Sequence, residues 1–256
     1  MRRITLLCVL ASAALVLPAA WASPAVAVVP VDPGPSAAGK PIWATGQNLP
    51  PLIATGTYFV GPGFAPQVID YYDSGQATKD QRDVVNAADV WVDAWIDKHC
   101  DGQPRRCKAA VVFDVDETLL SNYAFYLGTD FTFNQDGWNA FNQACDNAVN
   151  APVRRVYNHF RDAGLRVVIM TGRAESARPW TAACLRERGI FGWDRLILKS
   201  AAEQSLPAEV YKAQERAKLQ RAGYRIVASI GDQVSDMAGG HLKSGFLLPN
   251  PIYLIP

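Results

Sequence analysis

The chain has almost no excess of charge: 25 Lys and Arg stand against 24 Asp and Glu, a formal net charge of +1. No Lys/Arg stripe with interleaved aromatics is present, so nucleic-acid polymers are not expected partners. Histidine is scarce, and His99, His159 and His241 are scattered; each reads as a surface or packing residue rather than a ligand. No CxxC pair accompanies the cysteines, which argues against a zinc module. Internal repeats are absent. The one long apolar run, near the N-terminus, is broken by Pro18 and ends in small residues, which suits a cleaved leader better than a retained membrane anchor.

That leader, MRRITLLCVLASAALVLPAAWASPAVA (residues 1–27), offers cleavage points after Ala22 and Ala27. The paired Arg2 and Arg3 are too little for a twin-arginine signal, and Leu7 stands before Cys8 where a lipobox has a small residue. A secreted or cell-envelope protein is expected, with no stable membrane association once the leader is removed. Four cysteines then remain, Cys100, Cys107, Cys145 and Cys184. An even number in an oxidising compartment predicts disulfides, and Cys100 and Cys107 could close a short loop around DGQPRR.

Residues 28–70 are rich in Pro, Gly and Ala, as in VVPVDPGPSAAGKP, and read as a linker or extended arm ahead of a domain at 71–256. From Lys79 to His99, Val84, Val85, Ala88, Trp91, Val92, Trp95 and Ile96 recur at helical spacing. Beyond them strands alternate with amphipathic helices: AAVVFDV, APVRRVYNHFRDAGL, RVVIMTG, ARPWTAACLRERG, RLILKS, PAEVYKAQERAKLQRAG, YRIVASIGD and SGFLL. This alternation predicts an α/β doubly wound parallel sheet. Its one interruption, residues 121–150, carries Tyr123, Phe125, Tyr126, Phe131, Phe133, Trp138 and Phe141 and reads as a small aromatic cap. Tyr123 and Tyr126 start within a few residues of the first strand's end, so both can reach a leaving group there.

Ligands of open α/β sheets bind beyond the carboxyl ends of the strands. The residues at those ends are Asp114 and Asp116, Thr171 and Gly172, Lys199, and Asp232 with Asp236. Two carboxylates about 4 Å apart repel by roughly 4 kcal/mol at an effective dielectric of about 20. Four of them converging need a cation, and hard oxygen ligands suit Mg²⁺. A metal beside a nucleophilic carboxylate, a hydroxyl and a lysine describes phosphoryl transfer, with phosphate as the expected substrate group.

The strings DVDETLLSN, MTGR, VYKAQER, GDQVSD and the closing LLPNPIY together resemble the acid phosphatases of the HAD superfamily, subfamily IIIB. That group includes bacterial class C acid phosphatases and plant vegetative storage proteins, and the resemblance runs over residues 71–253. It implies a HAD-like Rossmannoid fold and an aspartyl-phosphate mechanism. Asp114 would be the nucleophile, and Asp116 the acid that protonates the leaving alkoxide and then the base on water. Thr171 and the Gly172 amide would hold phosphate oxygens, with Arg173 of the same motif among the substrate-binding residues. Asp114, the Asp116 carbonyl and Asp232 would ligate Mg²⁺, with Asp236 beside them. For the phosphate lysine, strand-end position points to Lys199, whereas the resemblance points to Lys212, near Arg216; Lys212 is preferred. The implied function is an exported, Mg²⁺-dependent phosphomonoester hydrolase. A non-catalytic storage or phosphate-binding protein on the same scaffold is the alternative.

Overall fold

Five uncharged residues, Ala109–Phe113, form the central strand; apolar, partly β-branched runs of this kind suit a strand covered on both faces. The computed structural model describes residues 29–31, 42–44 and 58–255. The expected leader and most of the expected arm lie outside the described residues. In chain order the elements are β1 (Val29–Val31), β2 (Ile42–Ala44), β3 (Tyr58–Phe59), α1 (Ala65–Asp73), α2 (Gln76–Cys100), β4 (Ala109–Phe113), β5 (Leu120–Ser121), α3 (Tyr123–Gly128), α4 (Gln135–Ala144) and β6 (Ala148–Val149). There follow α5 (Ala151–Asp162), β7 (Arg166–Ala174), α6 (Arg178–Glu187), β8 (Arg195–Lys199), α7 (Ala208–Arg221), β9 (Arg225–Gly231), β10 (Ser244–Leu247) and β11 (Tyr253–Leu254).

The main sheet runs in the order β1-β2-β10-β9-β4-β7-β8. Every pairing in it is parallel except β1 with β2. From β4 the chain steps through α5 to β7 and α6 to β8, then returns by α7 to β9 on the other side of β4. The strand order therefore reverses between β4 and β9, which opens a crevice at their carboxyl ends. This is the doubly wound α/β fold the alternating pattern predicts. Two stretches of the expected arm extend the sheet instead of standing apart: β2 pairs with β10, Ile42 opposite Gly245. Helix α1 likewise begins ahead of residue 71.

Successive side chains of a strand point to opposite faces, and β4 divides its contacts accordingly. Val111 and Phe113 pack with Val84 and Val92 of α2, Val156 and Phe160 of α5 and Leu185 of α6. Ala110 and Val112 pack with Leu219 of α7, Met170, Met237 and Leu247. Over the crevice, the insertion pairs its ends as β5 with β6, Leu120 opposite Val149. Between them Phe125, Tyr126 and Phe131 form a core of their own with Ala65, Val68, Ile252 and Tyr253. Cys145 bonds to Cys184, fastening the end of α4 to α6, and Cys100 bonds to Cys107 across the turn from α2 to β4. No helix among the described residues is long and apolar enough to cross a membrane.

Candidate active site

Asp114 leaves β4 with its amide still donating to the Ile230 carbonyl of β9, 3.0 Å away, so its carboxylate is pinned at the switch point. Lys212, reaching in from α7, donates to Asp114 Oδ1 at 2.8 Å and also to Asp236. Both members of the first pair are buried. Asp232, just past β9, accepts from Thr118 Oγ1 at 3.2 Å, Asn250 Nδ2 at 2.7 Å and Gln233 Nε2 at 2.5 Å. Asp236 accepts from the Gln233 amide at 2.9 Å. A Cβ on Gly231 would stand 2.1 Å from the Asp236 carboxylate, so this close approach requires glycine. One turn beyond Lys212, the fully buried Arg216 donates to the carbonyls of Asp236 (2.6 Å), Gly240 (2.9 Å) and Ala238. It fixes the backbone of the loop that carries Asp236.

The ligand atoms of Asp114, Asp232 and Asp236 all lie within 4.8 Å of one another. Burial, reinforced by Asp236, Asp232 and Asp116 and opposed by Lys212, pushes Asp114 well above the usual carboxylate range. Burial and then Asp236 and Glu117 push Asp232 up to about 8. Burial would lower Lys212, but Asp114 and Asp236 outweigh it and hold the ammonium protonated. Ionising all three carboxylates beside one lysine would leave two negative charges, which one divalent cation would neutralise. The donors are all hard oxygens, the set such a cation takes.

Asp116 is held differently. Arg173 donates to it twice, from Nε at 3.0 Å and from a terminal nitrogen at 2.6 Å, and Asn122 donates at 2.9 Å. Burial raises its pKa, but the charge and hydrogen bonds of Arg173, with Asn122 and Lys212, more than offset this, and it ends below the usual range. Arg173, expected to bind substrate, is thus occupied within the protein. It also donates to Thr181 Oγ1 at 3.2 Å and to Asn142, with its guanidinium 5.3 Å from the Trp138 ring and 5.1 Å from that of Trp180. Thr171 is buried and its hydroxyl accepts from the Arg173 amide at 3.2 Å. The neighbouring Gly172 is exposed, with nothing within 4 Å of where a Cβ would stand, so its backbone is open to approach. Lys199 lies apart from the carboxylates: its ammonium donates to the Leu206 carbonyl at 2.5 Å and sits 5.8 Å from the Tyr211 ring.

The two cap tyrosines separate. Tyr123 stacks on Tyr72, centroids 4.2 Å apart and planes 7° off parallel, and donates to Asp73 at 3.2 Å. Tyr126 is only 2% exposed, its ring packed among Phe125, Tyr253 and Phe59 at 5.2, 5.7 and 6.4 Å. That position makes it part of the cap's interior. Sequence reasoning passed over two residues near the carboxylates. Glu117 is buried, accepts from the Asn122 amide at 2.6 Å, its side chain at 3.1 Å and the Tyr253 hydroxyl, and is pushed up to about 7 by burial and Asp116. Asn250 steadies Asp232 while its Oδ1 accepts from the Ile252 amide at 2.9 Å. The Pro-Asn-Pro string around Asn250 is the one local signal, since Asn side chains fold back on the backbone two residues on.

Comparison with known proteins identifies the family. The family model "HAD superfamily, subfamily IIIB (Acid phosphatase)" matches residues 59–256. Acid phosphatase 1 of Solanum lycopersicum is 32% identical over 206 residues, 77% of this chain and 72% of that protein. Stem 28 kDa glycoprotein of Glycine max is 36% identical over 155 residues, 58% of this chain and 61% of that one. Vegetative storage protein 1 of Arabidopsis thaliana is 31% identical over 149 residues, covering 57% and 55%. The crystal structure of class C acid phosphatase from Bacillus anthracis with tungstate bound superposes with a TM-score of 0.63 at 17% identity, over 76% of this chain and 86% of that one, a likeness of fold. The chain belongs to the acid phosphatases of HAD subfamily IIIB.

Proposed function

We propose that this phosphatase is an exported, Mg²⁺-dependent phosphomonoester hydrolase that works through an aspartyl phosphate on Asp114. The observation that carries the reading is the placement of Asp114 at the β4/β9 switch point, 2.8 Å from Lys212 and beside Asp232 and Asp236. In the first step an Asp114 oxygen bonds to phosphorus, the ester P–O bond breaks, and Asp116 gives its proton to the departing alkoxide. In the second, Asp116 takes a proton from water, the water oxygen bonds to phosphorus, and the acyl-phosphate P–O bond breaks, releasing phosphate and restoring Asp114. Thr171, the open Gly172 amide and Lys212 hold the non-bridging oxygens. Arg173 keeps Asp116 aimed, and by favouring its ionised form it suits the second step; low pH supplies the proton the first step uses.

Asp114, Asp232 and the Asp116 carbonyl, with Asp236 alongside, would hold Mg²⁺, whose charge offsets that of the phosphate oxygens. Tyr123, stacked on Tyr72, is the cap ring left to meet an aromatic leaving group, since Tyr126 is packed away. Export rests on the N-terminal leader and on the two disulfides, bonds that persist in oxidising compartments. The storage-protein alternative draws on the named relatives, but Asp114 and its lysine partner are both in place here.

The test is turnover of a chromogenic phosphomonoester by the purified mature chain, with and without a chelator, beside Asp232→Ala. Activity lost on chelation, restored by Mg²⁺ and crippled in the variant is expected. Full activity in excess chelator would refute the metal requirement, and none under any condition would favour storage.

A further inference from the structure

A second set of metal-ligating side chains lies between α2 and α5. Asp89 and Asp93 stand one turn apart on α2, so their carboxylates share a face, and His159 approaches them from α5. His159 Nε2 is 3.3 Å from each Asp93 oxygen and 3.5 Å from Asp89 Oδ1, and the three residues offer ligand atoms all within 4.8 Å of one another. A tetrahedral zinc ion with bonds of about 2.0 to 2.1 Å holds its ligands roughly 3.3 to 3.4 Å apart. The two histidine–carboxylate separations, 3.3 and 3.5 Å, lie near that edge, and the two carboxylates offer oxygens within 4.8 Å of each other.

The surroundings orient the set. Arg155 donates to Asp89 Oδ2 at 3.0 Å and to Asn86 Oδ1 at 2.6 Å, which turns the other Asp89 oxygen toward His159. That oxygen, Oδ1, is buried and accepts no hydrogen bond among the described residues. An ion pair with a protonated imidazole accounts for this poorly: one Nε2–H faces three oxygens and can donate well to only one. A bound ion would satisfy the imidazole nitrogen and an oxygen of each carboxylate together.

We propose that Asp89, Asp93 and His159 form a binding site for a divalent transition ion of the zinc class, with the fourth position open to solvent. Imidazole with two carboxylates is a borderline donor set that takes zinc ahead of Mg²⁺. The site joins α2 to α5 on the α2/α5 side of the sheet. Its occupancy clips two helices together and adds nothing to the chemistry at Asp114.

The test uses the full mature chain in excess Mg²⁺, titrated with Zn²⁺ in a calorimeter beside His159→Ala. His159 is 43% exposed and Asp93 51%, so His159→Ala and a second variant, Asp93→Asn, leave the core untouched. Both proteins share the Asp114 cluster, so the difference between them isolates this site. The expected result is one more Zn²⁺ bound per wild-type chain than per His159→Ala chain, with a Zn²⁺-dependent rise in Tm that both variants lack. Co²⁺ should give the visible bands of a four-coordinate ion in wild type alone. Equal Zn²⁺ stoichiometry and equal thermal shifts in wild type and both variants would overturn the proposal.

Discussion

Arg173→Ala tests how the site is held together. The wild-type guanidinium makes two hydrogen bonds to Asp116, at 3.0 and 2.6 Å, one to Thr181 at 3.2 Å and one to Asn142. Removing one member of a buried ion pair costs about 3 to 5 kcal/mol, because the other charge is left uncompensated. The Asp116 side chain is 18% exposed and can relieve itself by taking up a proton, which points to the lower end, about 3 kcal/mol. For a domain of this size that lowers Tm by about 6 to 12 °C. Arg173→Lys keeps the charge but loses the fork, so it should fall between alanine and wild type. In kinetics the reading is specific: Arg173 acts through Asp116, so kcat should drop by about 10² or more while KM moves little. Thermal melts and steady-state kinetics on the three proteins decide it. A Tm within about 2 °C of wild type, or a rise in KM at constant kcat, would refute this account and return Arg173 to substrate binding.

The two disulfides should differ in worth. From their separations of 39 and 7 residues, loop closure predicts losses of about 4 kcal/mol for the double alanine variant at Cys145 and Cys184 and about 2.5 kcal/mol at Cys100 and Cys107; denaturant titrations giving the reverse ranking would contradict it. Glu203 is lowered from 4.5 to about 2, chiefly by the Ser200 hydroxyl, against burial and with help from Lys218. A folded-state pKa below the unfolded one stabilises above pH 4.5 and fades as pH falls toward 2. The Tm gap between wild type and Glu203→Gln should therefore close on acidification, and a gap constant with pH would argue against the pairing. Tyr126→Ala should cost about 3 to 5 kcal/mol of stability and affect aryl and alkyl phosphates alike, whereas Tyr123→Ala should weaken turnover of aryl phosphates by about 1 kcal/mol. A selective aryl defect in Tyr126→Ala would reverse those roles.

The strands and helices of the sheet were legible because each carries its own period: AAVVF and RIVASIG are apolar runs bounded by turns, and α2 repeats its apolar residues at helical spacing. The strand-end carboxylates followed from the general placement of ligands in such sheets. What failed to show locally depends on long-range geometry. Lys199 occupies a strand end, yet it is the rotational phase of α7 against the sheet that carries Lys212 to Asp114, 98 residues away in sequence. Arg173 meets Asp116 across 57 residues and Tyr253 meets Glu117 across 136, separations no periodicity encodes. Strands β1 and β2 are three residues each, too short to show an alternation, and they join the sheet through backbone pairing. Four cysteines allow three pairings, so the bond from Cys145 to Cys184 needed the fold. Tyr123 and Tyr126, three residues apart and alike in chemistry, differ only in which ring the cap buries.

The central claim is that Asp114 carries the phosphoryl group, and a single-turnover experiment tests it most directly. Wild-type enzyme is mixed with substrate in Mg²⁺, quenched in acid within the first turnover and digested, and the peptides are mapped by mass spectrometry. The account predicts a phosphoryl adduct on the peptide containing Asp114, located at that residue, and none in Asp114→Asn, whose turnover should fall by orders of magnitude. An adduct on a different residue, or an Asp114→Asn variant that still turns over at the wild-type rate, would contradict it.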